Sequence, residues 1–400
     1  AYPAALFFAE ARLEAILYVL AGAAVVQGFE NIGVVAFRKD LEFSKEFNYR
    51  VLPKIISFVA TVALAIAWKS YWALIAGIVI GQIARIVLSY VLHPYRPSLS
   101  VKGFGDIMGF SKWLVVNSML NFVNTRGDTF IVAKLLGPAY VGIYNIAYEI
   151  SNLVTTELTF PIQRAIFPGY ARIAANRDLL IRGYLKVLYL TVAVACPLGI
   201  GIALLADPLV RVCLGDNWLA AIPIIQILGF AGVFRMFSAN NGPVYLALGK
   251  PWIVTWLTVV NILAALPLMA YGIYLAGLYG AAWGILLGAV TRTAMNYFIV
   301  VSLLGVTWGT LARVLWRTIA ATAALAIAIE LLLSAWPQET LLWSAAKLAA
   351  GAAGGGIVYL LAALGLWYLS GRPAHSAEAF YLEKLEARLG GIRCLKPFKA

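Results

Sequence analysis

Two arginines close the same short pattern. Gly77, Gly81 and Arg85 are spaced by four, as are Gly284, Gly288 and Arg292, and the copies lie 207 residues apart at every position (77 to 284, 81 to 288, 85 to 292). Each copy sits in an apolar run opened by an aromatic residue, Trp72 in one and Tyr279 in the other. A third arginine, Arg235, stands near the middle of another apolar run. A guanidinium is always charged, and its planar fork of donors matches phosphate or carboxylate. Inside a membrane such a group either faces a polar path or reaches back to the headgroups. For Arg85 and Arg292, which lie toward one end of their runs, headgroup contact is the competing reading; for Arg235 the position makes it harder.

Two neighbouring runs carry polar stripes. Asn117, Asn121, Asn124 and Asp128 are spaced 4, 3 and 4, and so are Asn145, Glu149, Asn152 and Thr156. On helices this spacing puts each set on one narrow face. Facing lipid, amides and carboxylates would be costly, so both faces should look into a bundle or a wet cavity. Ordinary interhelical hydrogen bonding is the plainer alternative; two matched stripes, each with a carboxylate, favour cavity lining. Arg126 falls on the opposite face from its stripe and is a weaker candidate. Amides suit hydroxyl-rich ligands and arginines suit phosphate, so together they point to a sugar attached to a phosphate. Asp128 and Glu149 are the groups whose protonation could couple transport to a cation.

The elements that must hold these residues are membrane helices. The chain has 400 residues, 62% hydrophobic and 12% charged, and its mean hydropathy is +0.86. Soluble domains carry about 25% charged residues, so a soluble fold is excluded. A span needs about 20 mainly apolar residues. The runs that qualify are 11–36, 51–68, 70–92, 106–136, 138–160, 182–206, 218–248, 251–275, 277–304, 312–334 and 340–370. An all-α integral membrane protein with about eleven helices is therefore expected. No period-2 alternation recurs, which argues against an outer-membrane barrel.

The net charge of +13 does not mark a nucleic-acid binder, because the basic residues lie between apolar runs. Arg38, Lys39, Lys45, Arg50 and Lys54, then Arg96 and Lys102, then Arg172 to Lys186, then Lys250, then Arg313 and Arg317 alternate with connections poor in lysine and arginine. The positive-inside rule makes the basic set cytoplasmic, together with the C-terminal tail. Residues 376–390 read as a short amphipathic helix on that face. Cys196, Cys213 and Cys394 show no disulfide or metal spacing, and His93 and His375 are isolated. There is no Walker motif, Gly-x-Ser-x-Gly or metal-ligand set. Neither an enzyme nor a cofactor is expected.

The register of the two glycine–arginine patterns points to an internal duplication, a mark of transporters. The second copy spans about 104–304, and shifting it back by 207 places the start of the first before Ala1. The first lobe is therefore expected to be truncated at its N-terminus. The hairpins 51–92 and 251–304 are expected to superimpose.

Several segments resemble the polysaccharide transporter, or oligosaccharide flippase, family of the multidrug/oligosaccharidyl-lipid/polysaccharide exporter superfamily. They are Phe37 to Phe43, Phe110 to Trp113, Leu135 to Tyr148, Phe167 to Arg172, Leu214 to Trp218 and Ala247 to Pro251, in order over about residues 1–305. The resemblance implies two pseudo-symmetric six-helix lobes around a central cavity and a further helix pair. It assigns 1–97 to the latter half of the N-terminal lobe, 98–305 to the C-terminal lobe, 306–371 to the extra pair and 372–400 to a basic cytoplasmic tail. It implies a multi-pass protein of the bacterial inner membrane that flips undecaprenyl-pyrophosphate-linked oligosaccharides for lipopolysaccharide or exopolysaccharide assembly. Its partners would be the lipid-linked oligosaccharide, membrane lipids, and the polymerase and other assembly proteins. The competing functions are a multidrug cation antiporter of the same superfamily, which would want acidic and aromatic residues to dominate its cavity, and a membrane polysaccharide polymerase or ligase, which would want a large catalytic loop. An assembly scaffold is disfavoured by the polar stripes.

Overall fold

The computed structural model describes residues 1–8, 10–39, 42–96, 104–154, 156–157, 160–335 and 340–371. Lys102, Glu339, His375, Cys394, the 372–400 tail and its amphipathic stretch 376–390 lie outside the described residues, as do the side chains of Asn117 and of Phe110 to Trp113. Among the described residues there is no strand. Within those residues, seven helical stretches are long and apolar enough to cross a membrane: Ser44–Trp68, Trp72–Leu92, Arg177–Leu204, Asp216–Ala247, Pro251–Leu304, Trp308–Ser334 and Leu341–Leu369. Side chains such as Tyr274, Leu342 and Phe298 are largely exposed, as expected of surfaces that meet hydrocarbon rather than water.

The chain divides into two compact units, Ala1–Trp113 and Leu114–Ala400. The first contains α1 (Tyr2–Phe8), α2 (Arg12–Gln27), α3 (Ala36–Lys39), α4 (Phe43–Trp68) and α5 (Trp72–Leu92). The expected span 11–36 is not continuous. Helix α2 stops at Gln27, and a 3-10 turn follows at Ile32–Val35, capped by the Asn31 side chain, which accepts from the Gly33 amide at 2.9 Å. Asn31 is fully buried. Its own side-chain amide donates to the Tyr95 carbonyl at 2.7 Å, tying this turn to the segment just after α5.

The second unit continues with α6 (Phe104–Leu136, whose first turns belong to the first unit), α7 (Pro138–Val154), α8 (Phe160–Ile173), α9 (Arg177–Leu204), α10 (Ala206–Cys213), α11 (Ile222–Ala239), α12 (Asn241–Ala247), α13 (Pro251–Leu304), α14 (Trp308–Ser334) and α15 (Leu341–Leu369). Neither α6 nor α7 is among the seven apolar stretches. Helix α7 has only 17 residues, about 25 Å; Thr156 and Glu157 form a π turn. Helix α6 is 33 residues long, but its interior is interrupted by the polar stripe. Helix α13 breaks at Ala276 (φ −143°) and Gly277 (φ +58°), so its 54 residues form two antiparallel arms. Two cores hold this unit. One gathers Tyr144, Ile224, Ile225, Leu228, Met269 and Ala282; the other gathers Tyr184, Leu188, Tyr245, Tyr297 and Leu304.

The α4–α5 hairpin and the α13 hairpin, each taken by itself, use their glycines in the same way. A Cβ on Gly77 would lie 1.8 Å from Thr61 Oγ1, and one on Gly81 would lie 2.7 Å from the Ser57 Cβ. In α13, Gly284 would contact backbone, the Met269 Cα at 2.5 Å, and Gly288 the Ala265 Cβ at 2.7 Å. The partners fall 16 and 24 residues back in the first hairpin (77 to 61, 81 to 57), and 15 and 23 back in the second (284 to 269, 288 to 265). The difference lies in the turn. Lys69 takes the left-handed conformation eight residues before Gly77, and Gly277 does so seven residues before Gly284. The second turn is therefore one residue shorter, and the contacts of the arms correspond once that residue is allowed for. Small residues permit this approach, and in the first hairpin Ser57 seals it by donating to the Gly77 carbonyl at 2.8 Å.

Candidate functional site

Four helices of the second unit converge on one polar cavity. Helix α6 contributes Asn124, Thr125 and Asp128, α7 contributes Tyr148, α11 contributes Arg235, the first arm of α13 contributes Asn261, and the second arm contributes Arg292. Ile262, Ala265, Leu266, Met269, Ile285 and Ala289 form the apolar remainder of the wall. The i, i+4 spacing of Asn124 and Asp128 puts both on the face of α6 that meets α13. Gly127, between them, lets that approach happen: a Cβ there would sit 3.1 Å from Leu266.

The polar groups are held by one another. Asn261 donates to the Asn124 Oδ1 at 2.9 Å, linking α13 to α6. Tyr144, fully buried, donates to Asp128 Oδ2 at 2.7 Å, and the Thr129 amide donates to Asp128 Oδ1 at 2.7 Å. Arg235 donates to the Asn152 Oδ1 at 3.2 Å and to the Tyr148 hydroxyl at 3.4 Å, with its guanidinium carbon 5.2 Å from the centre of the Tyr148 ring. Both contacts are with neutral groups. Among the described residues neither Arg235 nor Arg292 forms an ion pair, and the two guanidiniums lie within each other's field. Two cations and the Asp128 carboxylate leave the lining one formal positive charge. A neutral dipole orients a cation but does not cancel it, so the site is electrostatically prepared for an anion.

The cavity holds about 130 Å³, the space of a few waters. That suits a phosphate group and is too small for an oligosaccharide; typical ligand pockets run from about 300 Å³ upward.

Of the residues expected from the sequence, the structure brings Arg235, Arg292, Asn124 and Asp128 to the cavity, with Asn152 behind Arg235. Asn145 lies one layer out and accepts from Thr129 Oγ1 at 3.4 Å. Thr156 bonds back to the carbonyls of Asn152 and Leu153 on its own helix. Asn121 and Glu149 are exposed and do not line the cavity. Arg85 lies in the first unit, half-buried, where its charge acts on Tyr49, whose hydroxyl donates to Glu30. Lys347 is buried on α15 at 5% exposure.

Tyr144, Tyr148, Thr125 and Asn261 were not singled out by the sequence reading. The two tyrosines are four apart on α7, flanking the stripe, and count as apolar in a hydropathy reading. Asn261 is a lone amide in an apolar arm, with no partner in sequence to mark it.

Residues 1–223 match a family described as polysaccharide biosynthesis protein. The chain is similar to the lipopolysaccharide biosynthesis protein WzxC of Escherichia coli (strain K12), at 26% identity over 268 residues, covering 66% of this chain and 54% of that protein. It is also similar to the succinoglycan biosynthesis transport protein ExoT of Rhizobium meliloti (strain 1021), at 20% identity over 262 residues, covering 65% of this chain and 53% of that protein. The chain thus spans about half the length of the curated relatives it matches. Among solved structures, lipid II flippase MurJ in an inward closed conformation shares the fold, with a TM-score of 0.66 at 15% identity over 82% of this chain and 69% of that one.

Proposed function

Because the chain belongs to the polysaccharide biosynthesis protein family, we propose that it acts in the flipping of undecaprenyl-pyrophosphate-linked oligosaccharides across the bacterial inner membrane, for lipopolysaccharide or exopolysaccharide assembly. The observation that carries this reading is that Arg235, held on the neutral Tyr148 and Asn152, and Arg292 line one cavity. The pyrophosphate is the anion they would take. Asn124, Asn152 and Asn261, beside them, offer amides to the first sugar; Asn121 and Asn145 belong to the same two helices, and Asn117 and Thr156 complete the two stripes in the sequence. Arg85 is the equivalent cation of the first unit. Two pseudo-symmetric lobes around a central path, the extra pair α14–α15 and a cytoplasmic C-terminus complete the proposal. The matched glycine contacts of the two hairpins support the duplication, and the alternation of basic connections supports the orientation. A polymerase and other assembly proteins are the partners expected to receive the product.

A cavity this small must open before it admits sugars, which is what alternating access provides. Loss of the gene should then cause the lipid-linked repeat unit to accumulate on the cytoplasmic leaflet while the surface polymer falls. Unchanged glycolipid and unchanged surface polymer would reject the proposal.

Asp128 is the better placed of the two coupling candidates. Its carboxylate lines the cavity together with two arginines and is gripped by Tyr144 and Thr129, whereas Glu149 is exposed. Asp128→Asn should lower export by about tenfold or more, the scale of one charged hydrogen bond. Glu149→Gln should stay within about twofold of wild type. Export measured across pH for both variants checks this, and the reverse order of effects would move the coupling role to Glu149.

A further inference from the structure

A basic pocket and an apolar groove follow one another along α9, α14 and α15, and neither shares a residue with the arginine cavity. The pocket is lined by Arg182 and Lys186 from α9, Arg313 and Arg317 from α14, and Ser370 just beyond α15, around about 750 Å³. The cations are spaced by four on each helix, so both pairs face the shared space. No carboxylate occurs in its described lining. Arg317 is the innermost group, 7% exposed, with its guanidinium 5.3 Å from the Tyr189 ring centre. Trp316 stands at the rim, a residue suited to the headgroup level.

The groove, about 460 Å³, has no charged residue in its lining. Leu198 of α9, Leu209 of α10, Leu325 of α14, and Leu348 and Leu360 of α15 line it. The order is the same on all three helices. On α9 the basic level (182–189) precedes the apolar level (193–202); on α14, Thr310 to Arg317 precede Leu325 to Ile329; on α15, the Ser370 end is followed by Leu360 to Leu348. A cationic level above an apolar level is the complement of an anionic head on an acyl chain.

From this arrangement we infer a binding site for an anionic phospholipid of the bilayer, with its phosphate among Arg182, Lys186, Arg313 and Arg317 and a chain in the groove. A membrane supplies such headgroups at this depth, and basic pockets between helices at that level favour them. The inference does not depend on the transported substrate.

The test uses the complete protein in detergent, with phosphatidylglycerol or phosphatidylcholine added, read by native mass spectrometry and by thermal unfolding. Phosphatidylglycerol should be retained more tightly than phosphatidylcholine and should raise the unfolding temperature further. Arg182→Gln with Arg313→Gln, both exposed side chains, should weaken phosphatidylglycerol retention roughly tenfold or more. The double Lys variant, which keeps both charges, should retain most of it, separating charge from general damage. Gly201→Phe, at a groove position where an added Cβ meets nothing within 4 Å, should weaken the lipid through its chain. Equal retention of the two lipids, or wild-type retention by the double Gln variant, would overturn the inference. So would equal stabilisation by inorganic phosphate alone, which would make this a soluble-anion site.

Discussion

Arg235→Ala is expected to stop export almost completely. The side chain sits on α11 against Tyr148 and Asn152 of α7 and lines the same cavity as Arg292. A hydrogen bond to a charged group contributes about 1.5–3 kcal/mol, which is roughly tenfold to a hundredfold in transport for one lost contact. The loss should be larger here, because the field of two arginines around one anion is reduced to that of one. Arg235→Lys should recover part of the rate: it keeps the charge, but gives up the planar fork and the stacking on Tyr148. Measuring the amount of folded protein in the membrane beside export separates binding from stability. Export at the wild-type rate by a well-folded Ala variant would remove Arg235 as the anion's anchor.

Gly280→Leu should fail at an earlier step, in the folding of the α13 hairpin. A Cβ on Gly280 would lie 1.7 Å from the carbonyl oxygen of Gly272 and 2.3 Å from its carbon. Both are backbone atoms and cannot rotate away. The arms must separate, and the contacts of Gly284 with Met269 and of Gly288 with Ala265 separate with them. Met269 is fully buried and belongs to the core that also holds Tyr144; Tyr144 in turn grips Asp128. The variant should accumulate poorly or lose many degrees of thermal stability, since overpacking alone costs about 1–3 kcal/mol where side chains can still adjust. Gly354→Ala on α15, where nothing lies within 4 Å of the added carbon, is the control and should be near neutral. Equal stability of the two variants would show that the hairpin tolerates opening at its turn.

The hairpins were legible because glycine spacing and an apolar run act locally: both determine how closely two helices approach, whatever surrounds them. The 207-residue offset located both pairs without any knowledge of the turns. The count of spans was less legible. Hydropathy reads 11–36 as one run, while α2 stops at Gln27 and the buried Asn31, bonded to Tyr95 more than sixty residues away, starts a separate 3-10 turn. A long-range hydrogen bond of this kind leaves no local mark.

The site divides along the same line. Residue type alone identified the charges that need an explanation in a membrane, because an arginine or aspartate in hydrocarbon is costly wherever it lies. Helical period alone put Asn124 and Asp128 on one face. Which charges share a cavity was decided by packing. Arg235 and Arg292 come from helices nearly sixty residues apart and meet through α11 against α13, whereas Glu149, equal to Asp128 by spacing, ends exposed. Tyr148 and Asn261 join the site only through contacts across helices. Sequence therefore determined the all-helical membrane class and the inventory of charges, since burial of apolar surface and the cost of buried charge are properties of single residues. Tertiary structure decided which charges act together, since that depends on distances between residues that the chain order leaves open.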